Sequence, residues 1–79
     1  MDNSIKNQIV TLGDGNRYFV LEETVYCSKV YDFLLNVEDE KDIEIVRQEV
    51  IDSKLILQEV TDQKEIEDLI LIFRDLIKA

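Results

Sequence analysis

Apolar and polar residues alternate over most of this chain before giving way to a helical period. Five segments are rich in β-branched and aromatic residues: residues 8–12, 17–22, 30–37, 43–51 and 54–60. The first connection, residues 13–16 (Gly-Asp-Gly-Asn), contains both glycines of the chain and is typical of a tight hairpin turn. Short connections between consecutive strands favour antiparallel hairpins over parallel βαβ units. The pattern predicts an antiparallel meander of about five strands.

Two of the predicted strands indicate how the sheet is covered. In residues 30–37, one face receives Tyr31, Phe33, Leu35 and Val37, and the other receives Asp32 and Asn36. The second strand instead carries large residues on both faces, with Tyr18 and Val20 on one side and Phe19 and Leu21 on the other. That is more apolar surface than a sheet covered on one face needs, which points to self-association or to a partner surface.

After residue 61 the apolar residues recur at helical spacing, at Ile66, Leu69, Ile70, Phe73 and Ile77, with Leu76 widening the stripe. Asp62 and Glu65 fit a helix N-cap and its capping-box partner. Leu71 falls opposite the stripe. We expect a helix over residues 62–78 that packs on one sheet face. The predicted fold is α+β, a single domain of residues 1–79 with strands over residues 8–60.

Composition excludes several classes of function. The chain has no histidine, a single cysteine, and 18 acidic residues against 9 basic ones, for a net charge of −9. Cys27 has neither a disulfide partner nor a histidine base. Direct binding to nucleic acid or to anionic membranes is disfavoured because the basic residues are scattered singly. No apolar run is long enough to span a bilayer and no signal peptide is recognisable, so the expected location is cytoplasmic.

The acidic residues do not form a recognisable catalytic or metal site. The densest group is Glu38, Asp39, Glu40, Asp42 and Glu44, which supplies the oxygen ligands that Ca²⁺ and Mg²⁺ prefer. Lys41 interrupts it, however, and it lacks the central glycine of an EF-hand loop. We predict no catalytic residue, no metal site and no cofactor, and we take these five acids as the candidate partner surface.

The order of the segments resembles the YrzB-like small acidic proteins, a family of unknown function widespread in Gram-positive bacteria. The resemblance runs from about residue 9 to residue 73. It rests on residues 14–16 (Asp-Gly-Asn), 31–35, 38–44, 47–49 (Arg-Gln-Glu) and 62–67, the last leading to Phe73. Typical members have a longer acidic turn and more aromatic residues, so this chain would be a divergent member. The family has no established catalytic residues, and its gene neighbourhood implies an accessory or regulatory role.

The sequence therefore predicts a small protein that is not an enzyme and that acts by interacting with another protein. A partner with a basic surface fits the charge. A homodimer is the other use of the apolar residues on both faces of the second strand. The alternative is a nucleic-acid mimic of the phage type, in which the acidic surface inhibits a nuclease or DNA-binding protein. Solubility alone also accounts for high net charge.

Overall fold

The computed structural model describes residues 4–78, which form one antiparallel sheet and one helix. The strands are β1 (Ile9–Thr11), β2 (Arg17–Tyr26), β3 (Lys29–Asn36), β4 (Ile43–Ile51) and β5 (Lys54–Glu59), and helix α1 spans Gln63–Lys78. Each strand pairs antiparallel with the next, in the order β1-β2-β3-β4-β5. The α+β fold predicted from the sequence is confirmed.

Two of the hairpins turn over two residues each, and none of the four turn residues is glycine. Cys27 and Ser28 join β2 to β3, and Asp52 and Ser53 join β4 to β5; their φ angles are 51°, 67°, 52° and 65°. Positive φ at both central positions is the geometry of a type I′ turn, which matches the twist of the flanking strands. L-residues in this region carry a conformational cost, so both turns are held by the strand pairing around them.

A bulge in β2 exchanges the faces of that strand halfway along its length. The register shifts at Leu21, because Val20 lies opposite Leu34 whereas Glu23 lies opposite Asp32. Directly opposite residues of an antiparallel pair share a face, so one extra residue reverses the alternation. The second half of β2 therefore presents odd-numbered side chains where the first half presents even-numbered ones.

Both faces of the sheet carry apolar clusters. We call the face that contacts α1 the helix side. The cluster between this face and the helix contains the buried residues Tyr31, Ile45, Val60, Leu69 and Phe73, with Tyr26, Phe33 and Ile66 packed against them. The opposite face, the far side, holds Tyr18, Val20, Leu34 and Val46, with Ile5, Val10, Leu12 and Leu57 packed against them. The far-side cluster thus takes residues from the segment preceding β1 and from β5, at the two ends of the strand order.

The sheet is curled, so that its two edge strands approach each other over the far side. Residues around β1 and residues 55–57 of β5 line one cleft of about 560 Å³. Of the large residues on the two faces of β2, Tyr18 and Val20 are buried in this far-side cluster. The far side of the sheet is covered by Ile5, which precedes β1, and by apolar residues from the two edges of the sheet, Val10, Leu12 and Leu57.

Helix α1 begins as predicted but packs along a narrower stripe. The carboxylate of Asp62 accepts the Lys64 N–H at 3.3 Å, which is an N-cap contact. Only two helix residues are buried, Leu69 and Phe73. The expectation that Ile70 and Ile77 share their burial is wrong, since these side chains are 46% and 47% exposed.

Candidate interaction surface

The loop between β3 and β4 carries the exposed part of the predicted acidic surface. Glu38, Asp39 and Glu40 are exposed, and none makes an ion pair with another residue of the described chain, 4–78. The loop has a defined shape, because the Asp42 N–H donates to the Asp39 carbonyl at 2.9 Å and the Lys41 N–H donates to the Asp39 carboxylate at 3.1 Å. These three carboxylates are therefore displayed on an ordered turn.

The two remaining predicted residues, Asp42 and Glu44, do not join that surface. The carboxylate of Asp42 accepts hydrogen bonds from the Tyr18 hydroxyl and the Asn36 amide, both at 3.0 Å. Burial and this hydrogen bond raise the pKa of Tyr18 to about 12. The pKa of Glu44 is raised by burial first and then by the nearby Glu59 carboxylate. The five predicted residues are thus divided between the outer loop and the far side.

A groove lies beside the acidic loop, between α1 and the sheet. Its volume is about 350 Å³, and it is lined by Phe33, Ile43, Glu44, Ile45, Val60, Ile66 and Ile70. Six of these seven residues are apolar. We call this feature the apolar groove. Ile45 and Val60 are buried, whereas Ile43 and Ile70 are 49% and 46% exposed, so the groove has a closed floor and an open mouth.

The opposite flank of α1 is fixed to the sheet by two tyrosines. The Tyr31 hydroxyl donates to Glu65 at 2.6 Å, and the Tyr26 hydroxyl donates to Asp68 at 2.6 Å. The Tyr26 pKa is raised first by its hydrogen bond to Asp68, and the Tyr31 pKa first by burial and then by its hydrogen bond to Glu65. Glu65 was expected to complete a capping box; its carboxylate instead ties the first turn of the helix to β3.

Two carboxyl groups and an amide form a polar cluster on the far side. The Gln48 amide donates to Asp32 at 2.7 Å and to Glu23 at 3.0 Å, and Glu23 also accepts the Ile5 N–H at 3.3 Å. Asp32 has no exposed surface. Burial, and then the Glu23 carboxyl, raise the Asp32 pKa from 3.8 to about 7. Since no substrate can reach a side chain this deep, the cluster belongs to the interior of the fold.

Other groups with chemical potential are sparse in the part of the chain that the structure describes. Cys27 is exposed in the β2–β3 turn. Among residues 4–78 there is no group of three or more cysteine, aspartate and glutamate side chains placed to hold a metal ion. The helix of that region is too short and too polar to cross a membrane.

Comparison with known proteins found no match, whether to a family model, a curated protein or a solved structure. The resemblance to the YrzB-like family therefore stays a prediction.

Sequence reasoning missed two features, the apolar groove and the Glu23–Asp32 pair. The pair depends on the bulge at Leu21, without which simple alternation places Glu22, and not Glu23, on the face of Val20. The groove depends on how α1 is rotated on the sheet. One sequence signal for it was present, because the acidic loop is followed at once by Ile43, a large apolar residue at a strand end.

Proposed function

We propose that this protein is a non-enzymatic interaction module that binds another protein through the acidic β3–β4 loop and the surface around it. The chain has no histidine, and its most perturbed carboxyl group is buried at Asp32. The loop acids Glu38, Asp39 and Glu40 are in contrast exposed and make no ion pair within residues 4–78. These properties support binding over acid–base catalysis.

One observation carries the proposal. The acidic loop is bracketed by two apolar side chains that the fold leaves exposed, Val37 at 41% and Ile43 at 49%. Protein interfaces combine apolar contact area at their centre with a polar rim. A loop that serves solubility alone needs the carboxylates but has no need of the apolar side chains beside them.

The test is affinity capture from the cell that encodes the protein, with charge-matched variants. The double variant Glu38→Lys and Glu40→Lys changes the loop, and Asp52→Lys with Asp75→Lys makes the same change in net charge at exposed positions elsewhere. We expect the loop variant to recover at least about tenfold less partner, the loss of one strong contact, and the control to recover the wild-type amount. Equal recovery with both would contradict the proposal.

The alternative is that the acidic surface imitates nucleic acid and inhibits a nuclease or DNA-binding protein. The net charge of −9 favours it, as do the three loop carboxylates, which make no ion pair within residues 4–78. A mimic of phosphates depends on charge and salt concentration and is indifferent to apolar groups. Ile43→Ser separates the two functions: it weakens capture by an interaction module and leaves inhibition by a mimic unchanged.

Three further proposals accompany this function. A cytoplasmic location is the first of these. Membership of the YrzB-like family is the second, and it agrees with a chain in which we predict no catalytic residue. The homodimer is tested by sedimentation of the purified protein over a range of concentrations, where a constant mass equal to that of one chain would rule it out.

A further inference from the structure

The apolar groove runs along one flank of α1, and the other flank is hydrogen-bonded to the sheet. Glu65 and Asp68, which bind Tyr31 and Tyr26, lie on one flank of the helix. Ile66 and Ile70 are four residues apart and therefore lie one above the other on the other flank. The tyrosine contacts anchor the first flank. On the second flank, Ile66 packs against the helix-side cluster and Ile70 is 46% exposed at the mouth of the groove.

The sheet forms the other wall of the groove. Phe33 and Ile45 are directly opposite each other on β3 and β4, and Leu35 is opposite Ile43. These side chains share the helix side. Phe33 also packs on Phe73, with ring centres 5.2 Å apart, which fixes the inner end of the groove. A visiting side chain would therefore meet walls that are already in place.

Charge around the mouth of the groove is predominantly negative. Ile43 follows the loop that exposes Glu38, Asp39 and Glu40. Asp62 lies two residues after Val60. Glu67 lies between Ile66 and Ile70 in the sequence. These five acids are all exposed. The basic side chains in the same segments are Lys41, Lys64, which makes an ion pair with Asp68 at 3.7 Å, and, one turn beyond Ile70, Arg74. The mouth thus combines apolar walls with an excess of carboxylates.

We propose that the apolar groove receives large aliphatic side chains from a segment of a partner protein in which lysine or arginine residues flank those side chains. This inference rests on the proposed function and specifies the chemistry of its partner. The groove volume lies at the small end of the roughly 300–1,000 Å³ range of ligand pockets, which suits a few side chains of a peptide segment.

Charge complementarity selects this occupant over the others. A second copy would bring the same acidic rim and a further net charge of −9. An anionic membrane surface is repelled for the same reason, and a fatty acid would place its carboxylate among the rim carboxylates. A segment with basic residues next to its aliphatic side chains makes apolar contacts with the walls of the groove and pairs its positive charges with the carboxylates at the rim.

The probes are three synthetic peptides of equal length: a central Leu-Ile-Leu flanked by lysines, the same centre flanked by glutamates, and a lysine-flanked Ser-Gly-Ser. Binding to the full chain is followed by the methyl NMR signals of its isoleucines. We expect the lysine-flanked aliphatic peptide to shift the signals of Ile43, Ile45, Ile66 and Ile70 in a saturable way. The other two peptides should leave these signals unchanged.

Two substitutions locate the binding. Ile70→Glu places a charge at the mouth of the groove and should weaken the lysine-flanked peptide at least about tenfold, because it removes an apolar contact. Leu71→Glu makes the same chemical change on the outer face of the helix and should have no effect. Circular dichroism of both variants shows whether the helix is retained.

The inference fails if the lysine-flanked aliphatic peptide produces no shifts at millimolar concentration. It also fails if the shifts fall on residues of the far-side cleft, or if decanoate shifts the groove signals with higher affinity than the peptide. The proposed function is tested separately. If partner capture depends on the acidic loop but the peptide does not shift the groove signals, the proposed function stands and only this inference is removed.

Discussion

The two faces of the sheet are both covered, but by different means. On the helix side, one regular element packs an apolar stripe against β2, β3 and β4 and adds two tyrosine hydrogen bonds. On the far side, the cover consists of the segment before β1 and the curled edges, and the interior includes Asp32 and Asn36. Both faces therefore combine an apolar cluster with polar contacts, but the buried polar side chains, Asp32 and Asn36, lie on the far side.

The largest expected effect tests the packing of the two faces with one chemical change. Leu69 on the helix side and Leu34 on the far side are both fully buried, and Leu→Ala costs about 2–5 kcal/mol according to how well the site collapses. We expect the loss of unfolding free energy to be near the upper end of this range for Leu69→Ala and near the lower end for Leu34→Ala. The short segments that cover the far side can relax into a cavity more readily than a docked helix can. Urea unfolding measures both, and an equal or reversed order would break the comparison.

The next effect concerns the pH dependence of the far side. The Asp32 pKa of about 7 in the folded state exceeds its ordinary value of 3.8, so between these values the folded state binds more protons than the unfolded state. The free energy of unfolding should therefore fall as pH rises from about 4 to about 7, on the order of 2–4 kcal/mol.

Asp32→Asn isolates this contribution. An asparagine amide can donate to Glu23 as the protonated acid does, so the variant should lose most of the slope between pH 4 and 7. Asp39→Asn in the exposed loop is the control and should keep the slope. A wild-type slope retained in Asp32→Asn would show that the pH dependence arises from the overall negative charge.

This cluster also marks the limit of what the sequence predicts. Alternation and turn residues predicted the strands, and helical spacing predicted the helix, because these patterns depend on residues close together in the chain. The alternation of β3 also placed Asp32 on the other face of the sheet from Tyr31 and Phe33. It could not reveal that Asp32 is buried beside Glu23, since the bulge in β2 and the curl of the sheet arise from packing between distant segments.

The candidate surface was predictable in part for the same reason. Glu38, Asp39 and Glu40 occupy a turn whose exposure follows from its charge. Asp42 and Glu44 look equivalent in the sequence, but strand pairing turns them towards Tyr18 and Glu59. The apolar groove depends on the rotation of α1 on the sheet, which helical periodicity alone leaves open. Leu69 and Phe73 pack on the sheet, and two tyrosines hydrogen-bond the helix.

A smaller effect compares one tyrosine from each face. Tyr31→Phe removes the hydroxyl that donates to Glu65 on the helix side, and Tyr18→Phe removes the one that donates to Asp42 on the far side. We expect a loss of about 1.5–3 kcal/mol for Tyr31→Phe, as for hydrogen bonds to charged groups, and less for Tyr18→Phe because Asp42 keeps its bond to Asn36. Hydrogen exchange should rise across α1 only in Tyr31→Phe; a rise in both variants would show that the faces are coupled.

The smallest effect involves positions that belong to neither face. Ser28→Gly and Ser53→Gly relieve left-handed backbone conformations at φ of 67° and 65°. Each should raise the free energy of unfolding by about 0.5–1 kcal/mol, measurable as a higher midpoint in urea. Similar gains in unfolding free energy at both turns would provide a reference against which the variants on the two faces are compared. A loss of unfolding free energy at either turn would show that its serine makes a stabilising contact.

The chain-order pairing of the strands has a consequence for how the protein is made. Every strand finds its partner in the segment just synthesised, so the sheet can form hairpin by hairpin as the chain emerges from the ribosome, and such local pairing folds quickly. Helix α1 arrives last and carries Leu69 and Phe73. Until then Tyr31 and Ile45 lack their cover, so we expect nascent chains that end before residue 63 to be the form that chaperones recognise.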